Sequence, residues 1–253
     1  MPPVDLSQLD PKPQGFGSCG PCAYRDVGSA AICFACASQQ VELVGHGHCP
    51  TCEQHLPPSG TCSNYWCRRP VDVRFFDFVY AIAMRSGLLQ TAINRYKYKN
   101  GTGWASIFGR VLVGYLDDRP QIMEGWDAII ASPTFIGPGS RRQWDHVGLV
   151  LERARVEAAD RWPIHTQPAL IVKTKETPQL VSLGLSERRT VSETELRESL
   201  TIPDPTAVSG RSFLVFDDVF TDGCTLREVA RALKLAGASY VAGIVLARQP
   251  WQQ

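Results

Sequence analysis

The sequence lacks any hydrophobic run long enough to cross a membrane. Its apolar stretches, such as residues 80–84 and 213–216, are only a few residues long, whereas a transmembrane helix needs about 20 apolar residues. The first twenty residues also lack the hydrophobic segment of a secretory signal peptide. We therefore expect a cytoplasmic protein with no membrane partner.

The chain also lacks a strong net charge. Its 26 lysines and arginines almost balance 25 aspartates and glutamates, which leaves a formal charge of +1 over 253 residues. Such a balance provides no general attraction for nucleic acids or membrane surfaces. A binding site for a polyanion must therefore be formed locally.

Cysteine is nearly missing from most of the chain, because residues 68–253 contain only Cys224. The other eight cysteines are concentrated near the start, as three CxxC pairs and one pair with four intervening residues. They are Cys19, Cys22, Cys33, Cys36, Cys49, Cys52, Cys62 and Cys67. Two thiolates at this spacing can face one ion, and two such pairs complete a tetrahedral Cys₄ site. The pattern predicts a zinc-binding module over residues 1–68 that holds two structural zinc ions.

Other uses of eight cysteines remain open at this point. An even number of cysteines is compatible with a disulfide framework, and a Cys₄ set is compatible with an iron–sulfur cluster. Sequential pairing of the four thiol pairs is favoured over an interleaved arrangement. His46 and His48 stand close to Cys49, but a complete set of eight thiols makes them surface residues in the favoured interpretation.

The cysteine-rich module is poor in positive charge. Residues 1–67 contain Lys12 and Arg25 as their only lysine and arginine, against five acidic residues, Asp5, Asp10, Asp26, Glu42 and Glu53. The resulting net negative charge is unfavourable for a surface that binds phosphates. We expect the module not to bind nucleic acid itself, and to serve a structural or protein-docking role.

Beyond residue 68 the sequence alternates between strand and helix patterns. Residues 68–77 resemble a linker, and residues 69–253 form a second predicted domain. Strands are predicted over 78–84, 126–131, 168–172, 213–219 and 240–247, and helices over 87–98, 104–116, 144–159 and 225–235. Residues 174–190 are polar and rich in turn-forming residues. The alternation predicts an α/β fold with a parallel sheet covered by helices on both faces.

The most informative segment joins the predicted strand 213–219 to the helix that follows. The apolar strand ends in Asp217 and Asp218, and the next residues are Thr221, Asp222, Gly223, Cys224 and Thr225. A helix N-terminus favours an anion, and a glycine there lets the backbone approach a phosphate closely. Paired carboxylates beside such a loop are suited to sugar hydroxyls and hydrated Mg²⁺. The competing interpretation is an acidic cap on an ordinary strand–helix turn.

This segment resembles the phosphoribosyl pyrophosphate (PRPP) motif of type I phosphoribosyltransferases. The chain as a whole resembles the ComF-like branch, in which a cysteine-rich zinc module precedes the transferase domain. The resemblance also includes four short runs, at residues 96–99 (YKYK), 132–134 (SPT), 141–146 (RRQWDH) and 173–179 (KTKETPQ). It implies a type I phosphoribosyltransferase fold with PRPP and Mg²⁺ as ligands.

The resemblance also implies roles for individual residues. Asp217 and Asp218 are expected to hold the ribose hydroxyls directly or through Mg²⁺, and residues 221–225 to surround the 5′-phosphate. The loop that contains Ser132 and Thr134 is expected to face the pyrophosphate. Residues 174–190 form the expected mobile lid, with Lys173 or Lys175 supplying positive charge to the pyrophosphate.

The sequence departs from the family pattern at two places. Asp222 stands where the family loop usually has a second threonine, and it adds negative charge beside the phosphate. Residues 142–145 read RQWD where the family has RGFN, which affects the region expected to recognise the acceptor. Cys224 is interpreted as a small residue that fills the loop, and residues 96–99 as a solvated helix end.

Two functions follow from these patterns. The first is an enzyme that transfers ribose 5-phosphate from PRPP to an unknown nitrogen acceptor and releases pyrophosphate. The second is a non-catalytic ComF-like protein that senses PRPP or assists DNA uptake, possibilities that the substitution at Asp222 keeps open.

Overall fold

The computed structural model describes residue 38 and residues 41–99, 101–178 and 183–250. The predicted ligands Cys19, Cys22, Cys33 and Cys36 lie outside the described residues. The strands are β1 (Val79–Met84), β2 (Ala128–Ala131), β3 (Val172–Lys173), β4 (Leu200–Thr201), β5 (Ser212–Phe220) and β6 (Tyr240–Arg248). The α-helices are α1 (Val71–Arg74), α2 (Gly87–Tyr98), α3 (Trp104–Asp118), α4 (His146–Ala158), α5 (Leu185–Val191), α6 (Arg197–Ser199) and α7 (Cys224–Leu235).

Four strands form one parallel sheet in the order β1-β6-β5-β2. The remaining two strands, β3 and β4, form a short antiparallel pair. Parallel pairing brings the carboxyl ends of the four long strands to the same edge, which is where ligands bind in sheets of this kind. The predicted α/β fold with a parallel sheet is confirmed.

The two faces of the sheet are covered by different elements. On β5, Leu214 and Phe216 belong to a core shared with α2, α3 and α4, whereas Phe213 and Val215 belong to a core shared with α7 and the cysteine-rich segment. This alternation follows from the two-residue period of a strand. Because both sets are buried, β5 is apolar from Phe213 to Phe216.

The predicted strand 168–172 is wrong. Only Val172 and Lys173 pair with a neighbouring strand, and they pair antiparallel with β4. Residues 163–165 lie beside β2 instead, where the Ile129 amide donates to the Pro163 carbonyl and the His165 amide donates to the Ile129 carbonyl. Leu170 and Ile171 are buried against the core, so their apolar character reflects packing and not sheet pairing.

The predicted linker 68–77 is also wrong, because the segment is packed against the sheet. Phe76 is fully buried and contacts the ring of Phe220 at a centroid distance of 6.1 Å. The Asp77 amide donates to the Val241 carbonyl, and the Val79 amide donates to the Thr51 carbonyl of the cysteine-rich module. The described part of that module is therefore joined to the sheet by hydrogen bonds and apolar contacts.

Two further differences concern helices. The helix predicted over 144–159 begins at His146, because the Asp145 carboxylate accepts the amides of Val147 and Gly148 and caps the first turn. Part of the predicted lid, residues 185–191, is helical as α5. Among the described residues, no helix has both the length and the apolar character that crossing a membrane requires.

Candidate functional site

Four cysteine side chains form a compact cluster beside the sheet. The sulfur atoms of Cys49, Cys52, Cys62 and Cys67 all lie within 4.8 Å of one another, and none of the four is in a disulfide. The Cys52 and Cys62 sulfurs are 3.7 Å apart. Tetrahedral zinc with bonds of about 2.3 Å requires sulfur separations of about 3.8 Å. The donor set therefore fits one zinc ion, and it is the set that sequential pairing predicts.

His48 lies beside this cluster without joining it. Its Nδ1 atom is 2.7 Å from the Gly45 carbonyl oxygen, and its ring packs edge-on against His55. The sequence-based preference for a ligand set of cysteines alone agrees with this arrangement.

The second candidate site is a cleft of about 250 Å³ at the carboxyl edge of the sheet. Its walls come from the end of α2, the loop after β2, the start of α4, the segment after β3 and the end of β5. Its polar and charged lining includes Lys97, Ser132, Thr134, Arg141, Arg142, His146, Lys173, Glu176, Thr177, Asp217, Asp218 and Thr225. The fold thus brings the predicted acidic pair together with several cations from distant parts of the chain.

Asp218 is the buried carboxylate of this cleft, and it is neutralised by two side chains. The Lys97 ammonium lies 3.0 Å from Oδ1 and 2.9 Å from Oδ2, and the His146 Nε2 atom lies 3.2 Å from Oδ2. Burial raises the pKa of Asp218, but Lys97 and His146 outweigh burial and hold that pKa below its usual value. Burial lowers the pKa of His146, and the charge of Asp218 acts against that shift.

Asp217 has the opposite electrostatic environment. Burial, together with the negative charge of Asp218, raises the pKa of Asp217 to about 7. The charge of Lys97, the Asp218 amide, whose nitrogen lies 2.8 Å from Oδ1, and the Ser132 side chain offset this rise only in part. Two adjacent carboxylates with pKa values moved apart are typical of a site that binds a cation or handles a proton.

The predicted lysines take different positions. Lys173 lines the cleft and donates to the Thr177 hydroxyl at 2.6 Å. Burial lowers the pKa of Lys173. Lys175 points to the surface, where its ammonium lies 3.1 Å from a Glu198 carboxylate oxygen and half of its side chain is exposed. Of these two lysines, Lys173 lines the cleft and Lys175 forms an ion pair at the surface.

The loop between β5 and α7 turns at a glycine directly before the helix begins. Gly223 has φ = 96° and is the residue before the first turn of α7. A Cβ atom there would lie 2.8 Å from a ring carbon of Phe220, so both the backbone conformation and the packing require glycine. A small cavity of about 80 Å³ is lined by Thr221, Gly223 and Thr225, and also by Asp217.

The Asp222 carboxylate lies at the N-terminus of α7 and contacts both an amide and an arginine. Its Oδ1 atom accepts the Cys224 amide at 2.9 Å, at the N-terminus of α7. Its Oδ2 atom lies 3.4 Å from the Nη1 atom of Arg188 on α5. The carboxylate thus takes one amide donor of the loop and is compensated by a cation from the predicted lid.

Cys224 is buried at the start of α7. Burial, and then the charge of Asp222, raises the pKa of its thiol to about 12. A thiol with such a pKa is not a nucleophile at neutral pH. The interpretation of Cys224 as a small residue that fills the loop is supported.

Sequence reasoning missed Lys97, His146 and Arg188. Residues 96–99 were expected to form a solvated helix end. This prediction is wrong for two of them, because Tyr96 is fully buried and the Lys97 ammonium contacts the Asp218 carboxylate. One signal was available, because Lys97 follows the apolar Ile93 by one helical turn and shares its face. His146 ends the run 141–146 that the resemblance includes, but nothing in that run indicates its contact with Asp218, and Arg188 carries no comparable signal.

No protein-family model matches the chain, and no curated protein is significantly similar to it. The geometry of the cluster and the cleft therefore carries the functional argument.

Proposed function

We propose that the chain is a zinc-bearing, ComF-like phosphoribosyltransferase that binds PRPP and Mg²⁺ at the carboxyl edge of its sheet. It would transfer ribose 5-phosphate to a nitrogen acceptor and release pyrophosphate. The observation that carries the proposal is the approach of Asp217 and Asp218 to a glycine-containing loop at the N-terminus of α7, within a cleft lined by lysine and arginine.

The carboxylate oxygens of Asp217 and Asp218 are ligands of the kind that Mg²⁺ prefers. Asp217 lines the cleft, where burial and then the charge of Asp218 raise its pKa to about 7, and a bound cation would favour its ionised form. Asp217 would hold Mg²⁺ or the ribose hydroxyls, while Asp218 is held ionised by Lys97 and His146. Bound Mg²⁺ would neutralise charge on the pyrophosphate as it leaves.

The chain's own residues would provide positioning and charge. Thr221, Gly223 and Thr225 would surround the 5′-phosphate, and Ser132 and Thr134 would lie beside the pyrophosphate. The Lys173 ammonium, together with Arg142, would stabilise the leaving pyrophosphate. The Arg142 guanidinium is held by the Lys97 carbonyl at 3.1 Å and packs over the Tyr98 ring at 5.2 Å from its centroid.

In the transfer itself, the bond between ribose C1 and a pyrophosphate oxygen breaks and a bond between C1 and the acceptor nitrogen forms. The nitrogen then loses its proton, and the bonding electrons leave with the pyrophosphate. Such a reaction needs orientation and charge stabilisation from the protein more than covalent chemistry.

A second candidate function is a non-catalytic PRPP sensor or a DNA-uptake accessory with the same fold. The observation that favours it is Asp222, whose carboxylate already accepts an amide of the loop and is paired with Arg188. A phosphate entering this loop must compete with that carboxylate. Weak binding of PRPP without turnover would follow.

The cysteine-rich module is proposed to be structural, with a protein partner as its candidate ligand. Its described residues 41–67 contain Glu42 and Glu53 but no lysine or arginine, which makes a nucleic-acid surface on this segment unfavourable. Binding of residues 1–67 to DNA at about 150 mM salt would contradict this proposal.

Calorimetric titration of PRPP, with and without Mg²⁺, tests the proposed function. We expect Mg²⁺-dependent binding that Asp217→Asn and Asp218→Asn each weaken by about 1.5–3 kcal/mol, the cost of a lost charged hydrogen bond. Asp117→Asn is the matched control, because this carboxylate is paired with Arg161 at the surface. Equal binding by all variants would show that the acidic pair is only a structural cap.

Pyrophosphate release separates the two candidate functions. Mixtures of Mg²⁺, PRPP and nitrogen heterocycles or amines are incubated with the protein, and pyrophosphate is measured. Release that depends on both the acceptor and Asp217 supports the enzyme. Binding of PRPP without release of pyrophosphate with any acceptor supports the non-catalytic function.

A further inference from the structure

The guanidinium of Arg248 connects the cysteine cluster to the phosphate loop. Arg248 is the last residue of β6 and is fully buried. Its Nε atom donates to the Cys52 carbonyl at 2.7 Å, and its Nη2 atom lies 3.7 Å from the Cys52 sulfur. Its Nη1 atom donates to the carbonyls of Phe220 and Thr221 at 3.1 and 2.6 Å. One side chain therefore contacts both a metal ligand and the first residue of the loop.

The positive charge of the Arg248 guanidinium would be balanced by negative charge on the cysteine cluster. A buried guanidinium stays protonated and needs a nearby negative charge. Four thiolates around one Zn²⁺ would carry a net negative charge, and the Cys52 sulfur is the one that Arg248 contacts. The carbonyl oxygens that Arg248 contacts supply dipoles only. Bound metal would hold the Cys52 sulfur and backbone in place, and with them the guanidinium that contacts the Thr221 carbonyl.

Asn64 forms a second connection that does not involve Arg248. It lies between two of the ligands, and its amide is 3.4 Å from the Cys62 sulfur. Its side-chain oxygen accepts the Trp66 amide at 2.9 Å, and its side-chain nitrogen donates to the Asp222 carbonyl at 3.0 Å. Asn64 is almost fully buried, so its two hydrogen bonds fix the loop relative to the cluster.

We propose that metal occupancy of the cysteine cluster controls the order of loop 221–225, and through it the affinity for a phosphate-containing ligand. Arg248 and Asn64 are the positioning residues that carry the coupling. The effect on the loop itself is independent of the proposed function, whereas the effect on ligand affinity rests on it. Because coupling between two sites is reciprocal, a ligand in the loop must tighten metal binding by the same factor.

Hydrogen exchange of the full chain tests the coupling without any ligand. We compare the zinc-loaded parent with a Cys67→Ser variant from which zinc is lost. We expect amides of residues 220–226 to exchange at least about tenfold faster in the variant. Amides of α3, which packs on the opposite face of the sheet, should keep their protection. An unchanged loop, or an equal loss of protection in the loop and in α3, would overturn the proposal.

Substitution of the positioning residues provides the second test. Arg248→Met and Asn64→Ala leave all four thiols in place, and both should speed exchange of residues 220–226 in the zinc-loaded protein. Both should also speed transfer of zinc to a chromogenic chelator. Arg110→Met is the matched control, since Arg110 is a buried arginine paired with Glu157 on the opposite face. If Arg248→Met does not fold, Asn64→Ala decides, and unchanged exchange and zinc transfer would overturn the proposal.

The third test measures the coupling between zinc binding and ligand binding, with Mg²⁺ and PRPP together as the probe ligand. Zinc affinity is measured by competition with a chelator, with and without saturating probe, and probe affinity is measured with and without zinc. The two ratios should be equal and greater than about 3. If the probe does not bind the zinc-loaded protein, the proposed function fails, and the exchange results still decide the coupling.

Discussion

The ammonium of Lys97 lies within 3.0 Å of both carboxylate oxygens of Asp218, although the two residues are 121 positions apart in sequence. The contact joins the C-terminal end of α2 to the end of β5, inside the cleft. Because Asp218 is almost fully buried, this cation is a condition for an ionised carboxylate at this place. The acidic pair therefore consists of two different groups: Asp218 is paired with a cation inside the protein, and Asp217 lines the same cleft with a raised pKa.

Lys97→Met should destabilise the protein, because it leaves the Asp218 carboxylate buried with His146 as its remaining partner. We expect the free energy of unfolding to fall by about 3 kcal/mol, the typical cost of breaking a buried pair. Urea denaturation measures the change, and Lys99→Met at the exposed end of the same helix is the matched control. A combined Lys97→Met, Asp218→Asn variant should lose less stability than the sum of the two single variants.

The main elements of the fold were predictable because apolar periodicity is local. The runs that became β1, β5 and β6 were identified within about one residue at most positions, and α2 was identified with its observed bounds. Such runs are apolar because both faces of the sheet are covered. The strand predicted over 168–172 failed because burial of Leu170 and Ile171 against the core leaves the same pattern in the sequence as strand pairing does.

The cleft was predictable only in part, since its contacts join distant segments. Asp217, Asp218 and the loop after them are adjacent in sequence and share one motif. Lys97, His146 and Arg188 come from three separate helices, and no local pattern states which carboxylate each will reach. The packing of the cysteine cluster against β6 was hidden for the same reason, because Arg248 and Cys52 are 196 residues apart.

Asp217 should make the stability of the folded protein fall as pH rises through the weakly acidic range. Burial and the charge of Asp218 raise the pKa of Asp217 to about 7, whereas the group titrates near 3.9 in the unfolded chain. Between these values the folded state binds the proton more tightly, so this group's contribution favours folding below about pH 4 and is lost as pH approaches about 7.

The comparison with Asp217→Asn isolates that contribution. The free energy of unfolding of the variant, relative to the parent, should increase between about pH 4 and about pH 7 and stay constant above that range. Urea denaturation without divalent cations provides the measurement. A constant difference for Asp217→Asn would mean that the pKa of Asp217 is not raised.

The cysteine cluster should account for one zinc ion of the predicted two. We expect elemental analysis to give two zinc ions in the parent and one in Cys62→Ser or Cys67→Ser, because each of these variants removes a ligand of the described Cys₄ set. Cys224→Ser should keep both ions, since Cys224 lies outside the cluster. One ion in the parent would contradict the prediction for the first four cysteines, and no loss in Cys67→Ser would contradict the cluster as the site.

The pair formed by Asp222 and Arg188 should set the affinity of the phosphate loop. In the parent, the Asp222 carboxylate accepts the Cys224 amide and lies 3.4 Å from the Arg188 guanidinium. Asp222→Thr removes a negative charge beside the expected 5′-phosphate and restores a hydroxyl that can donate to it. It also leaves Arg188 without this counterion, so that its charge can act on the phosphate.

We therefore expect Asp222→Thr to bind PRPP in the presence of Mg²⁺ about tenfold more tightly than the parent, a change of ~1.4 kcal/mol. Arg188→Met alone should weaken binding, because it leaves Asp222 uncompensated beside the phosphate.

The combined variant separates two causes of the gain. If release of Arg188 provides it, the combined variant should bind no more tightly than the parent. If removal of the carboxylate is sufficient, the gain should survive. Calorimetric titration gives the affinities, with circular dichroism as the control for folding. Equal affinity of Asp222→Thr and the parent would show that the carboxylate does not compete with the phosphate, and that its contact with Arg188 serves only to hold α5 against the loop.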